Sequence, residues 1–175
     1  MKILVVVDIQ NDFVDGSLGT KEAQAIVDSA CSKIQAFEGK IFVTMDTHDQ
    51  DYLSSNEGKK LPVVHCVKDS EGWKLNSRIQ ECLDGKDVTI VEKPTFGAVD
   101  LPRLIESYAN DDDFSIEVIG LCTDICVVSN ALLLKANFYQ KEVIVDASCC
   151  AGVSPATHKA ALDTMRICQI NVINE

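Results

Sequence analysis

Side chains able to do chemistry recur just after the short apolar runs of this sequence. Asp8 follows LVVV, with Gln10 and Phe13 close behind. Asp46 and His48 follow IFVT, and Lys93 follows TIVE. Cys122, Thr123, Asp124 and Cys126 follow EVIG, and Asp146 with Ser148 follows VIV. A thiol, an acid and an ammonium group together make a nucleophile with its base and its counter-charge. In the first turn of a helix with Thr123 as N-cap, Cys126 would meet free N–H groups and the positive end of the helix dipole. Both favour a thiolate. Lys93 nearby would lower the thiol pKa further. Asp8 would serve as base toward the thiol and return the proton to a leaving group. The plain alternative is that Cys126 is a buried core thiol, and that Cys122 is a small residue letting the backbone approach closely at a turn.

Asp46-x-His48 sets two ligand types on the same side of an extended segment, and His65 follows in the same loop. Two histidines and a carboxylate are a common ligand set for a divalent ion with open positions. Glu57, in SSNEGKK, is a candidate fourth ligand, with a solvated loop acid as its alternative. Mixed nitrogen and oxygen donors suit zinc, iron and manganese alike. The third histidine, His158, lies within the helical stretch SPATHKAAL.

These residues need elements to position them. Candidate strands are 2–7, 40–45, 88–92, 115–120, 142–147 and 170–174. Most are apolar throughout, as expected of strands covered on both faces. Candidate helices lie near 20–37, 75–83, 99–109, 124–138 and 155–167. That alternation predicts a mainly parallel α/β sheet with helices on both sides, whose ligands bind beyond the carboxyl ends of the strands. Residues 46–72 break the rhythm and carry two of the three histidines. A loop of that length in a compact domain points to function.

The 175 residues fit a single domain, 1–175. A net charge of −11 argues against nucleic-acid partners and against docking on an anionic membrane. The eight cysteines scatter without a CxxC, as expected of reduced thiols in a cytoplasmic protein. The apolar start ends at Asp8, too short for a secretory signal.

Together, VVVDIQNDFVDGSL, TMDTH, VVHC, EKPTFGAV and GLCTDICVVSNALL resemble the isochorismatase-like cysteine hydrolases, and within them the nicotinamidases (pyrazinamidases). The blocks run in the family's order along nearly the whole chain. The resemblance implies a three-layer α-β-α, Rossmann-like fold with a six-stranded sheet. It implies a triad of Asp8, Lys93 and Cys126, and metal ligands Asp46, His48 and His65, with Glu57 added in some members. It implies an oxyanion hole from the backbone N–H groups of Cys122 and Cys126, beside a cis Leu121–Cys122 peptide. Phe13 would line the substrate pocket, with Gln10 beside it. The implied substrate is a small amide, nicotinamide first, and the implied assembly a homo-oligomer. The sequence departs from the family in reading TMDTH where TRDWH is frequent, and in lacking a tryptophan before His65; its only one is Trp73. Other readings are a hydrolase of a different amide, ureido or vinyl-ether substrate, a nucleotide- or flavin-binding module, and a thiol redox sensor at Cys122 and Cys126. No GxGxxG or GxxxxGK[ST] follows the first strand.

Overall fold

The computed structural model describes residues 1–110 and 112–175. Six strands form one sheet: β1 (Lys2–Val7), β2 (Lys40–Asp46), β3 (Val88–Lys93), β4 (Ser115–Leu121), β5 (Glu142–Ala151) and β6 (Asn171–Ile173). Their order is β3-β2-β1-β4-β5-β6, and every pairing is parallel. The strand order reverses at β1, so the carboxyl ends of β1 and β4 flank the crevice where such sheets bind ligands.

The apolar runs are explained by helices on both faces. Alternate side chains of a strand point to opposite sides. In β1, Leu4 and Val6 join one core with Ala30, Ile34 and Ile79, from helices α3 (Val27–Ala36) and α4 (Ser77–Leu83). Ile3, Val5 and Val7 join the other, with Leu101 and Ile105 of α5 (Leu101–Ala109), Ala131 and Leu134 of α6 (Val128–Asn137), and Leu162 and Met165 of α7 (Pro155–Ile167). Two short helices, α1 (Asn11–Val14) and α2 (Lys21–Ala25), precede α3. Thr20 caps α2 by accepting a hydrogen bond from Ala23 N.

The expected helices are there, with altered ends. The stretch 20–37 divides at Ile26 into α2 and α3, and α6 is preceded by a π turn, Thr123–Val127. The N-cap of that turn is Cys122, not Thr123. β5 also runs past 147. Its register against β4 shifts between Val118 and Gly120, which lets Cys150 and Ala151 pair with Gly120 and Leu121. Asp146 therefore sits inside a strand rather than at its end. Its carboxylate lies 2.7 Å from Lys33 Nζ and accepts a hydrogen bond from Ser148 Oγ at 2.7 Å, away from the crevice. No helix among the described residues is long and apolar enough to cross a membrane, and all eight cysteines are free.

Candidate active site and metal centre

The first turn after β1 is strained. Asp8 has φ of 49°, left-handed backbone that a non-glycine residue adopts only where its surroundings enforce it. The conformation is held by Asp8 N donating to Thr44 O at 3.1 Å and Thr44 Oγ1 donating to Asp8 Oδ1 at 2.6 Å. Lys93, the last residue of β3, is 1% exposed. Its Nζ lies 2.7 Å from Asp8 Oδ2, 3.3 Å from Asp46 Oδ1 and 3.5 Å from Cys126 Sγ. One buried ammonium thus joins the three strand ends to the cysteine.

Cys126 lies in the π turn after β4. That turn is set by Cys122 O, which accepts from Ile125 N and Val127 N, both at 3.0 Å. Gly120 makes the approach feasible: at φ of 124°, a Cβ there would lie 2.1 Å from Val7 O. The Leu121–Cys122 peptide is cis, as the resemblance implies. Asn130 of α6 donates through Nδ2 to Cys126 O at 2.8 Å and to Phe96 O at 3.1 Å, and accepts from Ala98 N at 2.8 Å. It ties the turn to the loop after β3. The sequence signal for this was a single Asn inside the apolar run VSNALLL.

The resting thiol differs from expectation. Burial, reinforced by the Asp8 charge and opposed by Lys93, pushes Cys126 well above the ordinary thiol range. Burial also raises the Asp8 carboxyl, against the pull of Lys93. Lys93 pulls the Cys126 thiol the other way, but burial and the Asp8 charge outweigh it. Asp8 Oδ2 is buried and, apart from its ion contact, unpaired. It has the capacity to take a proton.

Asp46, His48 and His65 present ligand atoms that all lie within 4.8 Å of one another. All three are buried. His65 Nδ1 is 2.8 Å from Val63 O. A carbonyl only accepts, so Nδ1 carries the hydrogen, and in the neutral imidazole Nε2 turns its lone pair to the site. That Nε2 is 3.5 Å from Asp46 Oδ2, and His48 Nε2 is 2.9 Å from the same oxygen. Glu57 Oε1 lies 3.8 Å from His48 Nε2 and 3.7 Å from His65 Nε2. Among the described residues His48 Nε2 has no polar neighbour of good hydrogen-bond geometry, its Asp46 contact being the nearest. Two imidazole nitrogens and two carboxylates converging on one buried point fit a divalent cation.

The supporting residues were less legible. Tyr52 is 2% exposed and packs its ring 4.7 Å from that of His48 and 4.9 Å from that of His65, while its hydroxyl donates to Leu61 O at 2.9 Å. Cys66 N donates to Asp12 Oδ2 at 2.8 Å, holding the turn after His65. Gln10, expected beside the substrate, is placed elsewhere. Its Oε1 accepts from Asp46 N at 2.7 Å, and its Nε2 donates to Asp46 O at 2.9 Å and Trp73 O at 2.7 Å. This fully buried amide has both N–H donors and one acceptor position engaged by backbone groups.

A cavity of about 630 Å³ opens over Cys122, Cys126 and the Asp-His-His-Glu group. Its apolar walls are Phe13, Leu18, Leu61, Phe96, Ile125 and Val153. Asp8 and Lys93 lie behind the thiol. Trp73 is outside the wall; its Nε1 donates to Thr47 Oγ1 at 2.9 Å. Phe96, from the EKPTFG stretch, is an aromatic wall that residue-by-residue reading did not single out.

Strand order, switch-point crevice and cysteine-centred cavity define a doubly wound α/β protein with its polar site at the carboxyl rim. The chain belongs to the isochorismatase family, since the sequence profile of the Isochorismatase domain matches residues 2–174. It is 28% identical over 191 residues to the nicotinamidase/pyrazinamidase of Mycobacterium tuberculosis, covering 99% of this chain and 98% of that protein. The crystal structure of the nicotinamidase/pyrazinamidase from Bacillus subtilis is similar with a TM-score of 0.82 at 26% identity, covering 99% of both chains. The zinc complex of Pyrococcus horikoshii pyrazinamidase shares the fold, with a TM-score of 0.82 at 23% identity over 99% of both chains.

Proposed function

We propose that this chain hydrolyses a small aromatic carboxamide, nicotinamide first, to the carboxylate and ammonia through a thioester on Cys126. The observation that carries the reading is the Lys93 ammonium in contact with Asp8 and Cys126, directly beside a metal-competent Asp46-His48-His65 group. The names of the Mycobacterium tuberculosis and Bacillus subtilis relatives support the substrate class.

Asp8 takes the Cys126 proton as the sulfur attacks the carboxamide carbon. The C–S bond forms and the carbonyl π electrons move to oxygen. The backbone N–H groups of Cys122 and Cys126 receive that oxyanion, the preorganised stabilisation that dominates many acyl transfers. Asp8 returns the proton to nitrogen, the C–N bond breaks and ammonia leaves. Water attacks the thioester with Asp8 again as base, which releases the carboxylate and restores the thiol. Lys93 stays charged throughout and balances whichever of Asp8 and Cys126 is ionised. Phe13 and Phe96 enclose the ring. Asp46, His48, His65 and Glu57 would hold a divalent zinc, iron or manganese ion, which supplies a Lewis-acidic anchor for a ring nitrogen.

The test is ammonia release from nicotinamide by the metal-loaded protein, with Cys126→Ala alongside. Turnover that vanishes in Cys126→Ala is expected. Full activity in that variant would sink the mechanism, and no release by the metal-loaded wild type would sink the choice of substrate.

A further inference from the structure

The two amides assigned to the oxyanion sit at Cys122 and Cys126; of the side chains between them Ile125 lines the cavity, whereas Thr123 and Asp124 are turned to other partners. Thr123 is fully buried, and its Oγ1 lies 2.8 Å from His158 Nδ1. The Asp124 carboxylate accepts from Val153 N at 3.2 and 3.1 Å. Both contacts run to the start of α7, which is itself firmly set. Ser154 and Thr157 form a capping box there, with Pro155 in the first turn. His158 follows in the same turn. Gly152 lets that turn close on the preceding chain, because a Cβ there would lie 2.9 Å from His158 Cβ. Among the described residues the Thr123 hydroxyl makes no other side-chain hydrogen bond.

From this geometry we infer that His158 is a positioning residue for the acyl-transfer step: through Thr123 it holds the turn that presents the two oxyanion amides. The inference rests on the proposed hydrolase reading. It assigns a role to the one histidine that neither the triad nor the metal group uses. A misplacement of about 1 Å at a reacting centre costs ~100-fold in rate, so a lost tether on this turn is read in turnover rather than in ground-state binding.

The experiment compares His158→Leu, His158→Asn, Thr123→Val and the His158→Leu/Thr123→Val double variant in the metal-loaded enzyme. Asn places a polar atom where the imidazole Nδ1 sits, and Leu does not. His158→Leu and Thr123→Val should each lower kcat by about 10- to 100-fold with little change in KM. The double variant should lose no more than either single one, and His158→Asn should recover most of the loss. Affinity for pyridine-3-carbaldehyde should fall in step with kcat, because its thiol adduct places an oxygen in the same amides. Affinity for nicotinate should not. Three results would overturn the inference: a kcat within about two-fold of wild type in His158→Leu, losses that multiply in the double variant, or a parallel fall in kcat, nicotinate affinity and melting temperature. Thr123→Val answers the same question if His158→Leu does not fold. A wild type that cleaves no carboxamide would instead refute the proposed function, so the two failures are distinguishable.

Discussion

Replacing Lys93 by Met tests the buried charge cluster most directly. Met keeps most of the stem and removes the ammonium. Lys93 and Asp8 are buried to within 2% of full enclosure, so solvent screens their contact little. The change strands Asp8, 2.7 Å away, and Asp46, 3.3 Å away, without their shared cation. Breaking a buried ion pair on one side costs about 3–5 kcal/mol. For a chain of this size each kcal/mol lowers the melting temperature by roughly 2–4 °C, so a drop on the order of 6–20 °C is expected in chelator-treated protein. Urea denaturation and thermal melting, with and without saturating divalent metal, read the effect. The metal-loaded variant should lose less, because a cation at Asp46 replaces part of the missing charge. Turnover should fail in both states, and Lys93→Arg should not restore it, since a planar guanidinium does not fill the site of a point-like ammonium. A metal-free Lys93→Met protein within about 1 kcal/mol of wild type would refute the charge argument.

Other outcomes follow from the same physics. Gly120→Ala should destabilise by about 3 kcal/mol or more, because a left-handed backbone is combined with a clash on Val7 O; wild-type stability in urea would contradict this. Gln10→Leu removes both hydrogen bonds that fix the Asp46 backbone, and should weaken metal binding by roughly 10- to 100-fold in chelator competition; unchanged affinity would show that Gln10 does not support the metal group. Burial alone would raise the Asp146 carboxyl, but hydrogen bonds from Lys33, Ser148 and Asn174 outweigh it and hold the pKa below the usual range. That stability is fully present above the unfolded carboxyl pKa of about 4 and is lost as pH falls through the lower folded value. Lys33→Met should therefore cost about 1–3 kcal/mol at neutral pH, with the gap to wild type closing in acid; a gap independent of pH would count against the linkage.

The four inner strands were legible because strands covered on both faces must be largely apolar, a property of the chain alone; the partly exposed edge strands β3 and β6 were legible from their β-branched residues. The residues at their carboxyl ends followed for the same reason. Asp8, Asp46, Lys93 and Cys126 each stand just past or at the end of such a run, and a doubly wound sheet gathers those ends on one rim. The split of the first long helix at Ile26 and the π turn before α6 were not legible, since helix ends depend on tertiary contacts as well as on propensity.

The sequence by itself determined the fold class, the strand ends that carry Asp8, Asp46 and Lys93, and the residue types that meet there, because apolar periodicity and side-chain chemistry are local properties. Only the tertiary structure decided how those groups interact. It made Asp146 a strand-interior partner of Lys33, since the extent of β5 is set by what β4 offers for pairing. It turned Gln10 from the cavity to the Asp46 backbone, since a buried amide goes where unpaired backbone groups await it. It brought Glu57 to the two histidines from a segment with no periodicity to place it. It also pushed the Cys126 thiol above its ordinary pKa, because a pKa depends on burial and on the charges packed around the group. Neither quantity is written in the order of residues; both arise only when distant segments are packed against one another.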